Sequence, residues 1–394
     1  MDRPLHRRTL LRTAALAGTS FLLGRSGFAA EGPGIAVEET KLISWKPPLY
    51  HGWPTLTRRR NGEFLVVWSG GREAHVCPFG RLELMRSQDQ GRTWRWPQVL
   101  LDGPIDERDA GVLETVKGSI LVTTFTSLAY QPLLERAEQI PAGQPGAWED
   151  LKLREWRAAH LRITEQQRQA ELGTWMIRST DGGVTWSARY PVPLHSPHGP
   201  IQLADGRQLY CGVELWRPER RVGVCHSADD GLTWEWLATI PTRPGDDPRH
   251  YHELHAVEAA DGTLITHIRN HNPANDKEIL QTESRNGGRT WSVPHPIGVW
   301  GLPSHLMRLR DGGLLMSYGH RRPPLGNQVR ISRDVGKTWS PPLTLNSDAH
   351  SGDMGYPSTV ECDDGTLVTV WYELLKDSPN AQLRQARWRL VDAT

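Results

Sequence analysis

Sixteen histidines, 46 lysines and arginines and 45 carboxylates are distributed over 394 residues. A subset of them gathers in short segments with the right chemistry for proton transfer and anion binding. These are Arg72, Glu73 and His75; Asp109; His198; His252, Glu253 and His255; Arg269 and His271; His305; His320, Arg321 and Arg322; and Tyr356. Asp, Glu and His move protons near neutral pH. Arg grips a carboxylate through two parallel hydrogen bonds. A Tyr activated by a neighbouring base becomes a nucleophile. Such a set serves a polar, anionic or sugar ligand. The histidine spacing fixes no metal geometry, so no metal and no cofactor is assigned. A formal net charge of +1 gives no sign of a nucleic-acid partner.

These residues need a scaffold, and the repeats supply one. The phrase Ser-x-Asp-x-Gly-x-Thr-Trp starts at Ser87, Ser179, Ser227, Ser284 and Ser332, with Asn286 replacing Asp once. Its Asp (Asp89, Asp181, Asp229, Asp334) can accept hydrogen bonds from its own turn. Its Gly permits positive φ, and its Thr and Trp are expected to start an outgoing strand. Out of phase with it run six strand–turn–strand hairpins with Asn-Gly, Lys-Gly or Asp-Gly turns, beginning at Thr55, Gly111, Gly199, His255, Ser304 and Ser358. One hairpin plus one phrase makes four antiparallel strands, a propeller blade. The sixth unit ends after a third strand near Gln382–Leu390, so residues 35–45 are expected to complete it and close the ring. The fold class is all-β, a six-bladed β-propeller with a small helical insertion in blade two.

In a propeller the lead-in to each first strand and the loop between second and third strands share one face. The Asp-bearing turns occupy the other. Most histidines fall on the first face and none in the Asp-bearing turns, which marks the first face as functional. An insertion at 127–173 has helical composition over 133–139 and 150–172 and belongs to that face, as a lid, a subsite wall or a dimer contact. Seventeen Trp against five Phe supply core rings or sugar-stacking platforms. Cys211 and Cys225 flank one loop and are either bonded or two buried thiols; no Cys pair has metal-ligand spacing. Residues 1–30, with Arg7-Arg8, an apolar run and small residues to Ala30, read as a twin-arginine export signal. The single propeller is then 31–394, periplasmic or secreted, with no membrane insertion after cleavage.

The repeated phrase is the Asp-box, or BNR repeat, and six blades carrying it resemble the sialidase superfamily. That resemblance implies a Tyr nucleophile activated by a Glu, an Asp acid/base and three Arg on a carboxylate. It places Tyr356 as nucleophile, Glu253 as its base and Arg269 as the second clamp, with Arg321 or Arg322 as the third. Two positions depart from the family. Its first clamp Arg belongs to a Tyr-Arg-Ile-Pro phrase, which here reads His51-Gly52-Trp53-Pro54. Its acid/base Asp is missing from the first blade's loop, leaving Glu73, His75 or Asp109 for the proton and Arg72 as a partial replacement clamp. His198, His252, His255, His271, His305 and His320 are expected to line the substrate.

The function expected from this is a sialidase-like glycoside hydrolase removing a terminal acidic sugar from a glycan. The alternatives are a propeller polysaccharide lyase, with Tyr and a neutral His abstracting a proton beside a uronate carboxylate, and a glycan-binding propeller without catalysis.

Overall fold

The computed structural model describes residues 34–44 and 48–391. The export-signal reading for residues 1–30 lies outside them. Six four-stranded antiparallel sheets follow one another round a ring. Blade one runs Tyr50–Arg58, Phe64–Arg72, Arg81–Ser87 and Gln98–Leu101, from axis to rim. Blade six runs Met354–Glu361, Leu367–Leu374 and Ala381–Val391, and its outer strand is Gly34–Leu42. That N-terminal strand pairs from Gly34 opposite Val391 to Leu42 opposite Arg384. The expected closure of the ring by its two ends is therefore present, and it pairs the outer edge of Ala381–Val391.

Apolar side chains fill the wedges between blades. Tyr50, Trp53, Val66 and Trp68 of blade one pack on Val368, Val370, Tyr372 and Leu383 of blade six. Leu65, Val67 and Leu82 on the other face of blade one meet Val112, Ile120 and Val122 of blade two. Alternation along each strand thus feeds two wedges at once.

The five Asp-box turns share one geometry. In the first, Ser87 Oγ donates to Asp89 Oδ1 at 2.7 Å and accepts from the Gly91 N–H at 2.7 Å. Asp89 accepts from the Thr93 N–H (2.8 Å) and hydroxyl (2.6 Å). The box tryptophans wedge against the blade before them: Trp94 Nε1 reaches Gln385 of blade six at 2.8 Å, and Trp339 Nε1 reaches Gln281 of blade four at 3.0 Å. One expectation needs correction. The outgoing strand starts after the Trp rather than with it, at Gln98 past Trp94 and at Leu343 past Trp339, because the indole is turned into the wedge first.

The insertion forms α1 (Gln131–Glu138), α2 (Asp150–His160) and α3 (Glu165–Glu171). The single helical piece expected over 150–172 is broken before Thr164, which caps α3 with a reciprocal Ser/Thr–Gln box. Tyr130, Leu134 and Trp156 pack on Val76, Cys77 and Phe79 of the blade-one loop. The insertion is thus docked on that loop as a buttress. Cys211 and Cys225 are free thiols. Cys211 faces Val224 while Cys225 faces Tyr210, so successive residues turn them to opposite sides of the sheet and into different wedges.

Candidate active site

Four of the six first strands share an irregularity where they enter the ring. Pairing slips between Gly52 and Thr55, Arg108 and Gly111, Tyr251 and Leu254, and Gly355 and Ser358. At three of these bulges a non-glycine residue adopts positive φ: Trp53 (56°), Asp109 (46°) and Tyr356 (53°); His198 in blade three does the same (71°). Each such residue costs roughly 1–3 kcal/mol. The bulges bring their side chains in from separate blades to one place beside the axis.

There Tyr356 Oη donates to Glu253 Oε1 at 2.6 Å. Arg269 Nη1 donates to both Glu253 oxygens (2.8 and 2.6 Å) and to Tyr356 Oη at 3.2 Å, while its Nε donates to His271 Nε2 at 2.8 Å. Burial pushes the Glu253 carboxyl up, but Arg269 and the Tyr356 hydroxyl outweigh it and leave Glu253 below its ordinary pKa. Burial, reinforced by the Glu253 charge, holds the Tyr356 phenol well above its ordinary value. The phenol therefore stays protonated at rest and loses its proton only to a base in contact with it, which Glu253 is. The Arg269–Glu253 pair is open to solvent to 17% on each side chain, enough to be reached by a ligand. His252 and His271 lie ring to ring at 4.8 Å beside the pair; burial lowers the pKa of both, that of His252 to about 4.

The three proton-transfer candidates fall in different places. Asp109 lines a cavity of about 220 Å³ together with Glu253 and His252. Burial, with a further push from Glu253 against the pull of Arg108, raises its pKa to about 7. His75 Nδ1 lies 3.0 Å from Asp353 Oδ1, which also accepts from Tyr50 Oη (2.9 Å) and Tyr372 Oη (3.1 Å). Burial of Asp353 is offset by those bonds, so its pKa lies below the ordinary value. Glu73 is turned away: its Oε2 accepts from Trp156 Nε1 of α2 at 2.9 Å. The sequence reading of Glu73 as an acid therefore gives way to an anchor for the insertion.

The arginines divide as clearly. Arg72 has no exposed surface, and its Nη1 and Nη2 meet Asp106 at 2.5 and 3.1 Å, with Ser69 Oγ and the His75 carbonyl completing the set. A guanidinium so committed cannot replace the missing clamp, and that expectation is corrected. Arg108, not singled out from the sequence, stacks 4.5 Å over Trp53 with Asp106 at 3.5 Å. Arg321 donates Nε to the Met354 carbonyl at 3.0 Å, one strand from Tyr356. Arg322 stacks on Trp300 at 3.8 Å, and His320 packs edge-on to the same ring; both are drawn toward the end of the outer strand of blade four, His295–Trp300.

His198, His255 and His305 are buried on the axis, with ring centres 4.6–5.4 Å apart, and His198 lies 6.3 Å from the Tyr356 ring. Burial lowers all three pKa values, that of His305 to about 3. They form a neutral floor beneath Tyr356. Among the described residues no group of three or more His, Cys, Asp or Glu has the geometry to hold a metal ion. His255 shows one reason: its Nδ1 accepts from the Leu306 N–H at 2.9 Å. Asp353, Tyr50 and Tyr372 were missed because each looks unremarkable in its own segment. The sole signal was that Asp353 lies three residues before Tyr356.

Comparison with known proteins places the fold. Residues 156–369 match the model of the BNR repeat-like domain. A sialidase of Micromonospora viridifaciens is 26% identical over 203 residues, which are 43% of this chain and 31% of that protein. The chain thus spans less than a third of that relative's length. A Dyadobacter fermentans protein of unknown function superposes with a TM-score of 0.73 at 21% identity, over 91% of this chain and 100% of that one. The Hadza microbial sialidase Hz136 superposes at 0.61 and 17% identity, over 87% and 66%. At such identities the likeness to solved structures is one of fold.

Proposed function

The chain belongs to the BNR repeat-like domain family, as a propeller of the sialidase superfamily, and from that premise we propose that it is a glycoside hydrolase removing a terminal acidic sugar from a glycan. The observation that carries this reading is the contact of Tyr356 Oη with Glu253 at 2.6 Å, with Arg269 beside both. As the phenolic oxygen attacks the anomeric carbon, its proton passes to Glu253. The bond to the departing sugar breaks, and the leaving oxygen takes a proton from Asp109, which burial keeps protonated near neutral pH. In the second half, water attacks the same carbon and gives its proton to the Asp109 carboxylate. The bond to Tyr356 then breaks as Glu253 returns the phenolic proton. A neutral nucleophile avoids setting a carboxylate against an anionic sugar.

Arg269 and Arg321 supply the positive charge for the acidic group. Gly52 stands where a family member carries its first clamp Arg, so the charge comes from fewer directions than in the family pattern. The twin-arginine segment supports export to the periplasm or medium. Replacing Arg7 and Arg8 with Lys is expected to retain the protein in the cytoplasmic fraction.

The test of the hydrolase reading is Tyr356→Phe against a panel of fluorogenic sialosides, uronides, rhamnosides and fucosides. The variant is expected to lose turnover by about 10³-fold or more while keeping its Tm. Full activity in the variant removes Tyr356 from the mechanism. A product that absorbs in the ultraviolet as an unsaturated uronate replaces hydrolysis with lyase chemistry. Binding without turnover of any substrate leaves a glycan-binding propeller.

A further inference from the structure

Arg220 lies in the blade-three loop between the strands Gln208–Val213 and Val222–Ser227, on the same face as Tyr356. Its backbone is held at φ 44° and its Nη1 donates to the Arg249 carbonyl at 2.5 Å. Among the described residues it forms no ion pair, whereas its neighbour Arg221 is paired through two bonds with Glu214 (2.6 and 2.7 Å). Burial outweighs the pull of the Asp247 charge and holds the Arg220 pKa below its ordinary value. A part-buried guanidinium kept in a strained loop with no carboxylate in ion-pair contact is costly unless a ligand supplies one.

The space beside it is suited to that. Arg220, Asp109, His252 and Glu253 line the cavity of about 220 Å³, and Phe125 and Leu215 give it an apolar side. At ~30 Å³ per water this holds about seven waters, room for a charged substituent and the carbon that bears it. Leu215 also borders a second hollow of about 480 Å³ walled by Trp216 and Trp175. Trp216 is 44% exposed, its ring 6.4 Å from Phe125. The cavity therefore starts at the base for Tyr356 and opens outward over blade three. Arg321 stands two blades away.

We propose that Arg220 binds an anionic group, a carboxylate or a sulfate ester, on the sugar seated at Tyr356, in the cavity between blades two, three and four. The inference rests on the reading of Tyr356 and Glu253 as the reacting centre. It gives the site a specificity device in blade three that the absence of an Arg at Gly52 leaves room for. A neutral sugar would leave the guanidinium unpaired, so the site selects against it.

Equilibrium binding by calorimetry tests this on the full chain, with glucuronate, N-acetylneuraminate, glucose 6-sulfate and glucose as probes. At least one acidic probe is expected to bind more tightly than glucose. Arg220→Ala should weaken that probe by about tenfold or more, the scale of one lost charge-assisted bond pair, and leave glucose unchanged. Arg220→Lys should fall between, and it reports on the fork even where the Ala variant folds poorly. Preference for glucuronate or N-acetylneuraminate identifies a carboxylate; preference for glucose 6-sulfate identifies a sulfate ester. Equal binding by Arg220→Ala and the unsubstituted protein overturns the proposal, as does no preference for any acidic probe. Turnover of the fluorogenic panel by Tyr356→Phe tests the hydrolase reading, and probe binding by Arg220→Ala tests this one. A failure of the hydrolase reading therefore shows in turnover, and a failure of this one in binding.

Discussion

The two faces of the ring satisfy their carboxylates in opposite ways. On the turn face, Asp89, Asp181, Asp229 and Asp334 each accept from a Ser two residues before and a Thr four residues after. On the other face, Glu253 meets Tyr356 at a separation of 103 residues, and Asp353 meets Tyr50 at 303. The turn carboxylates are accessible at their edges and held low by local bonds. The site carboxylates range from buried (Asp109) to partly exposed (Glu253, Asp353), and their pKa values are set by whichever blades converge on them: Asp109 is driven up while Glu253 is held down. A closed local turn is a structural part that can be copied five times. An open constellation assembled from distant segments can be changed one blade at a time without disturbing the ring.

Exchanging damage between the faces is the strongest way to break this contrast. Glu253→Gln keeps the shape of the side chain but cannot accept the Tyr356 proton as a base. Turnover is expected to fall by about 10²–10⁴-fold, and Tm to fall as well, because the amide oxygen still accepts from Tyr356 but the amide NH2 faces Arg269, which loses its charge partner. Turnover within twofold of the original would show that the site face is structural after all.

Asp109→Asn sharpens the comparison through pH. The native carboxyl titrates near 7, above an unfolded value of about 3.9. It therefore costs the folded state nothing below pH 4 and progressively more as pH rises from 4 to 7, after which the cost is constant. The Asn variant should lose activity about 10²-fold or more. Its Tm should match the native protein near pH 4 and exceed it by roughly 1–3 °C at pH 8. A Tm difference that is the same at both pH values would place Asp109 in a polar, hydrated setting.

Asp229→Ala is the reciprocal change on the turn face. It removes the acceptor for the Ser227 hydroxyl and for both groups of Thr233. By analogy with lost caps it should cost about 1–2 kcal/mol of stability. Turnover per folded molecule should be unchanged, since the turn lies on the face away from Tyr356. A fall in turnover would mean that the two faces are coupled through the blade.

The same contrast explains what was legible in the sequence. The blades, the ring closure and the insertion boundaries follow from local patterns of turn, alternation and repeat, and all are present in the structure. Tyr356, Glu253 and Arg269 were singled out through the resemblance to the sialidase superfamily, and the structure brings the three into contact. Arg72 and Glu73 were misread because their residue types suit a site, while their partners, Asp106 and Trp156, are 34 and 83 residues away. Asp353 and Arg220 escaped for the converse reason. Each is one polar residue in a polar loop, and its importance comes from what other blades bring to it or fail to bring. Periodicity encodes the frame; the pairing of side chains across the axis has no period to read.

Asp229→Asn is the smallest change and tests the turn face on its own terms. Nature has made it once already, at Asn286. There the Thr290 N–H donates to Asn286 Oδ1 at 2.9 Å, and the amide Nδ2 donates to the Thr290 hydroxyl at 2.8 Å, reversing one bond without losing it. At pH 7 the substitution should therefore change stability by no more than about 0.5 kcal/mol. Acid separates the two. Burial pushes the Asp229 pKa up, but the Thr233 and Ser227 bonds together outweigh it and leave the carboxyl below its ordinary value. Its stabilising contribution is complete above about pH 4 and is lost as pH falls through the folded pKa. The Asn variant has no such term, so its acid-unfolding midpoint should move to lower pH than that of the native chain, read by tryptophan fluorescence between pH 5 and pH 2. An unchanged midpoint would mean that acid opens the ring at the buried carboxylates of the site face, before the turns have titrated.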